Sequence, residues 1–304
     1  MKNTALRQAL RKVLTAVHYQ QKGQVDRLFS SMADCEKERA KDKQGRCVDR
    51  LLYNYKAARK ILYGYAELRT ANSKDFLDAH EASSAMQGQS FKGRPVWFLT
   101  ENYCGQTFNS VEHGDPQEGR GVGRFSIISV DYANCEHTWP KSRFNCEYEK
   151  TDPRQVALQY TDLHHLTTTQ TRANSIRSSF EFGETSEPRT GAGLCSPSQI
   201  GQVAIPPQKR TKGLDYEQIK KARRATVFAP PVSHRGNVAR ALFYFSVRYQ
   251  LPLHDIEEYY LKKWHKEDPV DNDEKLRHAR IYRTQRDRNP FIDYPELVDR
   301  IHNF

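Results

Sequence analysis

Two stretches of this chain carry residue types that together could hydrolyse a phosphodiester bond. The first, Asn134 to Ser142, places the carboxylate of Glu136 beside the imidazole of His137. Hydrolysis needs a base for water and stabilisation of the charge on the phosphate and the departing oxygen. Histidine is the natural base near neutral pH, and a hard divalent cation would stabilise the charge. On a strand the two side chains point to opposite faces, so one could face a metal and the other a water if the chain turns near Pro140.

The second stretch, from Asp162 to Ser179, could complete the metal site. Asn174 offers a neutral carbonyl oxygen as a further metal ligand. Arg177 lies three residues later, so on a helix it shares the side of Asn174 and could hold a phosphate with two hydrogen bonds. The two stretches therefore predict one metal-dependent phosphodiesterase site.

Each of these residues also has a common structural role. A Glu-His pair usually consists of two surface side chains without a catalytic role. Asn174 could be a helix cap, and His164 and His165 could be buried core histidines with satisfied hydrogen bonds. The combination within one basic chain favours the functional interpretation.

A Gly-rich stretch at 110–124 contains imitations of functional motifs. Glu112-His113 repeats the central dipeptide, and Gly119–Gly123 resembles a phosphate loop. The latter lacks the full glycine spacing and a preceding strand. We interpret both as ordinary polar residues of a loop, without a catalytic or phosphate-binding role.

The charge balance indicates a polyanionic partner. The 304-residue chain has a formal net charge of +11, from 48 Lys+Arg and 37 Asp+Glu. Neutralised phosphates release counterions, so such a balance favours binding to nucleic acid, although a merely soluble basic protein has the same charge. The 16 Tyr and 14 Phe predict a folded chain. No apolar run approaches the roughly 20 residues that span a bilayer, so no membrane insertion is expected.

Six cysteines occur in the chain, and none forms a CxxC pair, which argues against a structural zinc site. They are Cys35, Cys47, Cys104, Cys135, Cys146 and Cys195. Their even number favours disulfides in an oxidising compartment. Cys35–Cys47 and Cys135–Cys146 would close short loops and leave Cys104–Cys195, while other pairings and six reduced thiols stay open. Residues 1–17 lack the apolar centre of a signal peptide, so the means of export also stays open.

Hydrophobic periodicity predicts helices around a small β-rich centre. The predicted helices cover 6–17, a continuation at 25–32, 48–68, 173–179, 235–249, 254–264 and a segment after Pro269 that begins at the N-cap Asp271 with Glu274 in its first turn. The predicted strands are 96–99, 125–131 and 163–166, and a long Gly- and Pro-rich loop runs from 183 to 213 and on to about 225. The expected fold is an α+β, mostly helical single domain over 1–304.

Several motifs together resemble one known family. They are Glu136-His-Thr-Trp-Pro-Lys-Ser142, Asp162-Leu-His-His-Leu166, Arg172-Ala-Asn-Ser-Ile-Arg-Ser-Ser179, Arg235 to Tyr244, Trp264 to Val270 and Arg288 to Asp293. The set resembles the bacterial endonuclease I family of the ββα-metal (His-Asn-His-like) nuclease superfamily. The resemblance covers about 48–304 and is weakest at 110–124 and 185–225.

This resemblance implies a ββα-metal catalytic centre at about 125–180 and a role for each matched residue. His137 would be the general base, and Glu136 and Asn174 would hold one Mg²⁺, for which Mn²⁺ or Ca²⁺ could substitute. His165 would brace the loop that carries His137. Arg177 is our candidate for an arginine on the scissile phosphate, and we expect Lys141 to contact substrate as well.

The implied function is a non-specific, Mg²⁺-dependent endonuclease acting on DNA, with 5′-phosphate products; RNA is a further candidate substrate, and the preference between the two stays open. The family implies a periplasmic or secreted protein, and we expect a monomer. A non-catalytic nucleic-acid-binding module on the same fold is the alternative, and a structural or toxin-like interaction protein is a further one.

Overall fold

The computed structural model describes residues 6–10, 67–70, 95–109, 112–113, 128–129, 131–144, 158–160, 162–189, 193–205, 225–285 and 287–304. The strands are β1 (Glu67–Thr70), β2 (Pro95–Thr100), β3 (Thr107–Asn109), β4 (Ala133–His137), β5 (Leu166–Gln170), β6 (Glu181–Phe182), β7 (Thr185–Pro188), β8 (Gln199–Val203) and β9 (Thr226–Ala229). The helices are α1 (Thr171–Arg177), α2 (Arg235–Tyr249), α3 (Asp255–Glu267), α4 (Asn272–Gln285) and α5 (Pro290–Asp293). Both element types share one fold, so the predicted α+β class is confirmed.

The strands of the described residues form three small sheets. An antiparallel sheet has the order β1-β2-β3, and β4 pairs only with β5, also antiparallel. The third sheet has the order β6-β9-β8-β7, in which β6 and β9 run parallel. Helix α1 follows β5 without a loop. The chain therefore forms a strand-strand-helix unit that carries Glu136 and His137 of the first stretch and Asn174 and Arg177 of the second.

Helix α2 forms the centre of the main core. Nearly all of its side chains are buried, as expected for a helix surrounded by other elements. It also buries two arginines, each of which meets a carboxylate: Arg240 lies 2.6 Å from Glu274, and Arg248 lies 3.1 Å from Asp162. Buried charges are tolerated when they are paired, so these contacts fix α2 against α4 and against the start of the second stretch.

The ring of Phe245, on α2, supports the first stretch from behind. Trp139 stacks on it with 5.3 Å between ring centroids, and Phe144 does so at 5.7 Å. The ring of His165 lies 4.3 Å from the same phenyl group. Aromatic contacts of this kind hold side chains in defined orientations. The loop that follows β4 is thus packed on the most buried helix of the fold.

The C-terminal helices agree closely with the sequence prediction. Helix α2 has the predicted bounds, and α3 begins one residue after His254. Asp271 caps α4, because its Oδ1 accepts a hydrogen bond of 2.7 Å from the backbone N–H of Glu274.

Two predictions in the N-terminal half also agree with the structure. Residues 6–10 are helical and pack on the core through Leu6 and Leu10. The predicted strand at 96–99 is confirmed within β2.

Two predictions in the N-terminal half are corrected. The second predicted helix does not extend to Leu68, because this residue lies in β1 and pairs with Trp97 of β2. The predicted strand 125–131 does not run into the first stretch. Asp131 lies in a turn, in which its backbone N–H donates to the hydroxyl of Ser129 at 3.3 Å. The remaining parts of the helices predicted at 6–17, 25–32 and 48–68 lie outside the described residues.

Two predictions in the second stretch are also corrected. Leu163 to His165 form a turn and not a strand, because the carboxylate of Asp162 accepts a hydrogen bond of 3.0 Å from the backbone N–H of His164, a typical Asx turn. The helix begins at Thr171 and not near Asn174. The side chain of Gln170 accepts from the backbone N–H of Ala173 at 2.7 Å and caps it.

The predicted loop from 183 onward is corrected too. Strands β7 and β8 lie within it and pair antiparallel, and β8 pairs in turn with β9. Strand β7 buries none of its side chains, so its hydrogen bonds and not apolar content define it. Strand β8 places Ile200 and Val203 in the main core. Residues 206–224 lie outside the described part of the chain.

The disulfide Cys104–Cys195 is present and closes a loop with a sequence separation of 91. It confirms the long-range pair expected from the sequence. Cys35, Cys47 and Cys146 lie outside the described residues, so the two short-loop pairs stay predictions. Cys135 is buried on β4. No helix among the described residues is both long and apolar enough to cross a membrane.

Candidate active site

Strands β4 and β5 and helix α1 bring the two predicted stretches together. In the β4–β5 ladder Glu136 lies opposite Thr167, and His137 lies opposite Leu166. Helix α1 then returns across β4, where the amide nitrogen of Asn174 donates to Oδ1 of Asn134 at 2.7 Å. One antiparallel strand pair and one helix therefore bring the two stretches together in space, although they are separate in the sequence.

An open cleft of about 450 Å³ lies along this unit. The residues predicted to bind metal, to act as base and to contact substrate all line it: Glu136, His137, Lys141, Asn174 and Arg177. His165 does not reach the cleft and lies behind it, fully buried. An acid, a base and an amide around one cleft define a site suited to hydrolysis.

Glu136 is a buried carboxylate held at one of its oxygens. Its Oε1 accepts a hydrogen bond of 3.0 Å from the hydroxyl of Tyr103 and another of 2.6 Å from Nη1 of Arg177. Burial raises the pKa of Glu136 to about 6, against the opposing effects of Arg177 and Tyr103. No other described residue donates to this carboxylate, so Oε2 is the oxygen that can face a ligand.

The imidazole of His137 is fixed in one tautomer. Its Nε2 lies 3.0 Å from the carbonyl oxygen of Tyr160. A carbonyl oxygen only accepts, so Nε2 carries the hydrogen and Nδ1 carries the lone pair. Burial, with the nearby charges of His165 and Lys141, holds the pKa of His137 well below its ordinary value. The ring is therefore neutral near pH 7, the form that a general base requires.

The chain turns directly after His137, as the expected break near Pro140 requires. Residues Thr138 and Trp139 form a bend, and a short 3₁₀ helix spans Lys141–Arg143. The turn allows Glu136 and His137 to line the same cleft although they are consecutive residues on a strand. The sequence expectation of a local turn is therefore confirmed.

Asn174 is available as an oxygen ligand because its nitrogen is already used. The Nδ2 atom donates to Asn134 and, at 3.4 Å, to the carbonyl of Cys135. The amide is thereby oriented, and Oδ1 points away from these acceptors. Asn174 is half-buried within α1 and does not cap it, so the alternative role considered for it is not the one it has here.

A divalent cation with few protein ligands fits these residues. Among the described residues there is no cluster of three or more His, Cys, Asp or Glu side chains able to hold a metal, so a closed transition-metal cage is not present there. Mg²⁺ is commonly bound by one or two carboxylates together with waters and substrate phosphates. Glu136 Oε2 and Asn174 Oδ1, both at the cleft, match that donor chemistry.

His165 lies behind the turn that follows β4. Its Nε2 lies 2.7 Å from the carbonyl of Gln159, and its ring centroid lies 5.3 Å from that of His137. Its own carbonyl accepts a hydrogen bond of 3.0 Å from the backbone N–H of Thr138. Burial lowers the pKa of His165 to about 4. These contacts agree with the bracing role. Nδ1 of His165 is buried without a hydrogen-bond partner among the described residues, so this residue is not a fully satisfied core histidine.

The second histidine of the pair, His164, belongs to a buried network. Its Nε2 lies 3.3 Å from Asp287, which forms an ion pair with Arg248. Asp162 accepts from the hydroxyls of Tyr244 at 2.9 Å and of Tyr249 at 2.7 Å. The network ties the turn at 162–165 to α2 and leaves His164 with a structural position.

Arg177 is directed toward protein acceptors. Besides Glu136, it donates to the carbonyl of His137 at 3.0 Å and to that of Thr138 at 2.7 Å. Its guanidinium carbon lies 4.5 Å from the ring centroid of Phe182. In this arrangement Arg177 braces the end of β4, and its contact with a scissile phosphate stays a prediction.

Lys141 places a positive charge at the rim of the cleft. It is exposed, and its Nζ lies 3.4 Å from the hydroxyl of Tyr160 and 5.1 Å from the centroid of that ring. Partial burial lowers the pKa of Lys141. The position suits a contact with a phosphate that enters the cleft.

Sequence reasoning missed Tyr103, Glu101 and Tyr160. Tyr103 and Tyr160 contact Glu136 and His137 across gaps of 33 and 23 residues, and no spacing rule relates them. The signals that were available are the neighbouring Cys104, whose disulfide fixes this segment, and the acidic residue two positions before Tyr103.

The second Glu-His dipeptide lies in a local turn and does not line the cleft. Glu112 accepts a hydrogen bond of 2.8 Å from the side chain of Asn109, and the ring of His113 packs on Phe108 and Tyr132. Its interpretation as ordinary polar residues of a loop agrees with these local contacts.

Comparison with known proteins identifies the family. The profile of the Endonuclease I family matches residues 60–296, so the chain belongs to this family. Two similar proteins are each described as an extracellular ribonuclease. That of Bacillus amyloliquefaciens is 32% identical over 191 residues, which are 57% of this chain and 55% of the relative. That of Bacillus subtilis (strain 168) is 30% identical over 186 residues, 55% of this chain and 53% of the relative. The match thus spans about half the length of each relative.

Proposed function

We propose that this chain is a metal-dependent nuclease that hydrolyses internal phosphodiester bonds of DNA and RNA with little sequence preference. The observation that carries the proposal is the meeting of Glu136, His137 and Asn174 at one cleft. Within that cleft the carbonyl of Tyr160 holds His137 as the tautomer with a basic Nδ1. Membership of the Endonuclease I family supports the same function.

In this proposal His137 accepts the proton of the attacking water. General base catalysis by a positioned side chain contributes about 10²–10⁴-fold to the rate. The imidazole does not have to reorient, because the hydrogen bond to Tyr160 fixes its tautomer. His165 and Phe144, whose rings flank it, keep it in place.

Glu136 Oε2 and Asn174 Oδ1 would hold one Mg²⁺, with Mn²⁺ or Ca²⁺ as possible substitutes. Such a cation, when bound, stabilises charge on the phosphate and on the departing 3′-oxygen. Lys141 at the rim would contact a phosphate of the substrate. Departure of the 3′-oxygen leaves the phosphate on the other fragment, so 5′-phosphate ends are expected.

Both nucleic acids are proposed as substrates because the base acts on an external water. That reaction does not use the 2′-hydroxyl, which is the group that distinguishes RNA from DNA. Relatives described as ribonucleases favour RNA, and the family is named for an endonuclease. Contacts to phosphate carry little sequence information, which supports low specificity.

The proposed location is outside the cytoplasm, in the periplasm or secreted. The disulfide Cys104–Cys195 is typical of proteins that fold in an oxidising compartment. The two relatives are described as extracellular.

Incubation of supercoiled plasmid and of single-stranded RNA with the purified chain tests the proposal. With Mg²⁺ we expect nicked and then linear plasmid, degraded RNA and fragments that ligate without added phosphate. EDTA should stop both reactions, and excess Mg²⁺ should restore them. Cleavage that persists in EDTA would refute the metal-dependent mechanism. Binding without cleavage would instead indicate a non-catalytic nucleic-acid-binding module.

A further inference from the structure

Tyr103 is attached to the fold at its backbone nitrogen, its carbonyl and its hydroxyl. Its side chain is fully buried, and its ring packs on Phe228 with 4.7 Å between centroids. The backbone N–H donates a hydrogen bond of 2.9 Å to the carboxylate of Glu101, and the carbonyl oxygen accepts one of 2.7 Å from the hydroxyl of Ser198. The phenolic hydroxyl then reaches Glu136. A tyrosine held this firmly presents its hydroxyl in one direction.

The carboxylate of Glu101 connects this tyrosine to helix α1. It accepts hydrogen bonds from four backbone N–H groups, those of Tyr103, Cys104, Gln106 and Gln170. Gln170 is the last residue of β5 and also caps α1. Glu101 therefore joins the segment that holds Glu136 to the start of the helix that carries Asn174.

The disulfide adds a covalent attachment beside Tyr103. Cys104 follows Tyr103 directly, and Cys195 lies within 3.3 Å of the carbonyl oxygen of Tyr103. Ser198, which holds the same carbonyl, lies three residues after Cys195. The disulfide and Ser198 thus attach Tyr103 from outside β4, β5 and α1, while Glu101 links it to the end of β5.

We propose that Tyr103 is a positioning residue for the metal-binding carboxylate of Glu136. Its hydroxyl and Nη1 of Arg177 both occupy Oε1, so that Oε2 is turned to the cleft as a single-oxygen ligand. Arg177 supplies the charge that keeps the carboxylate ionised, and Tyr103 supplies a second, uncharged donor that fixes its rotation. This inference rests on the proposed function, because it takes Glu136 as a metal ligand.

The test compares Mn²⁺ binding by Tyr103→Phe and by wild type, measured by isothermal titration calorimetry. The phenyl ring keeps its packing on Phe228, so the substitution removes little besides the hydroxyl. Because a hydrogen bond to a charged group is stronger than one between neutral groups, we expect the metal affinity to fall about ten-fold or more. Tyr260→Phe is the matched control, because Tyr260 is also buried and donates its hydroxyl to a carbonyl, that of Ala204, away from the site. Its Mn²⁺ affinity should equal that of wild type.

A kinetic readout separates positioning from a general loss of structure. Raising the concentration of Mn²⁺ should restore most of the cleavage rate of Tyr103→Phe. A purely structural defect would lower the rate at every metal concentration. Equal Mn²⁺ affinities of Tyr103→Phe and wild type would overturn the inference.

Two further variants make every outcome decisive. Glu136→Gln should lose Mn²⁺ binding; if it binds like wild type, Glu136 is not a ligand and the proposed function itself fails at that point. If Glu136→Gln loses binding while Tyr103→Phe does not, only the role of Tyr103 is refuted. Should Tyr103→Phe not fold, Ser198→Ala releases the carbonyl of Tyr103 without touching Glu136. It should weaken Mn²⁺ binding about three-fold, in line with a typical single hydrogen bond, and an unchanged affinity would contradict the inference.

Discussion

Arg177 and Glu136 form a buried ion pair, with Nη1 of the arginine 2.6 Å from Oε1 of the glutamate. Both side chains are almost completely excluded from solvent. The same guanidinium donates to the carbonyls of His137 and Thr138. Arg177 of α1 therefore contacts the carboxylate of Glu136, the backbone of His137 and the turn after them. The geometry of the site thus depends on the packing of this seven-residue helix.

Replacement of Arg177 by alanine should destabilise the protein. Removing one partner of a buried ion pair leaves the other charge uncompensated, which typically costs about 3–5 kcal/mol of unfolding free energy. Urea unfolding of Arg177→Ala measures this cost. Arg172→Ala is the control, because Arg172 is exposed on the same helix, and its effect should stay within about 0.5 kcal/mol. If Arg177→Ala keeps wild-type stability and only raises the KM, Arg177 acts as a phosphate ligand and not as a brace.

Removal of the amide of Asn174 should weaken metal binding specifically. Asn174→Ala deletes one of two proposed protein oxygen ligands, and Mg²⁺ sites of this kind have few others. We expect the metal affinity, measured by calorimetry with Mn²⁺, to fall at least about ten-fold, because loss of a group that merely orients a metal ligand already costs about 10–100-fold. Ser175→Ala, at the exposed neighbouring position, should bind Mn²⁺ like wild type. Unchanged affinity in Asn174→Ala would remove Asn174 from the ligand set.

The identity of the site residues could be predicted from the sequence, but the residues that hydrogen-bond to them or pair with them could not. Glu136, His137 and Asn174 have side chains whose chemistry is specific, and a helix was predicted around Asn174. Strand β4, which carries Glu136 and His137, was not predicted, because the expected strand 125–131 ends before it. Arg177 was predicted from helical spacing to lie on the side of Asn174, yet spacing says nothing of burial. It is the pairing with Glu136 that turns its guanidinium toward the protein interior.

The helices of the C-terminal third were predictable because their signals are local. Asp271 and Glu274 form a cap within four residues, and the apolar stripe of α2 lies within the helix itself. The strands β1, β7 and β8 were missed because their hydrogen bonds lead to partners elsewhere in the chain. The turn at Asp162 was missed because an Asx turn competes with extended backbone in a run of residues that otherwise favours a strand.

Loss of the disulfide Cys104–Cys195 should lower stability markedly. A loop with a sequence separation of 91 is long, and loss of a native disulfide typically costs about 2–5 kcal/mol. Chemical unfolding of the double variant Cys104→Ala/Cys195→Ala measures the difference. The metal affinity should fall too, since the segment that carries Tyr103 loses its anchor. A variant with wild-type stability would show that the loop is held by its other contacts.

Stability should fall as the pH is lowered from about 6.5 toward 4, because buried histidines resist protonation, among them His165 and His278. Burial lowers the pKa of His165 and that of His278 to about 4, from an ordinary value of 6.5. Between these values the unfolded chain binds protons that the folded chain does not, so unfolding is favoured as the pH falls. Each such histidine lowers stability by up to about 1.4 kcal/mol per pH unit.

Urea midpoints at pH 7.5, 6.5, 5.5 and 4.5 measure this dependence. His165→Asn removes one titrating group, so its stability should vary less steeply with pH than that of wild type, whatever its absolute stability. Parallel pH profiles of the variant and wild type would refute the assignment of His165 as a buried neutral imidazole.

The single-turnover cleavage rate of His137→Ala, measured with excess enzyme, saturating Mg²⁺ and supercoiled plasmid, tests the central claim most directly. Because His137 is proposed to accept the proton of the attacking water, the rate should fall by about 10²–10⁴-fold. The affinity for DNA, measured by fluorescence anisotropy without metal, should stay close to wild type. The variant should remain folded under the assay conditions, with a lower unfolding midpoint because a buried side chain is truncated. A wild-type cleavage rate in His137→Ala would show that the base is another group and would contradict the proposed site.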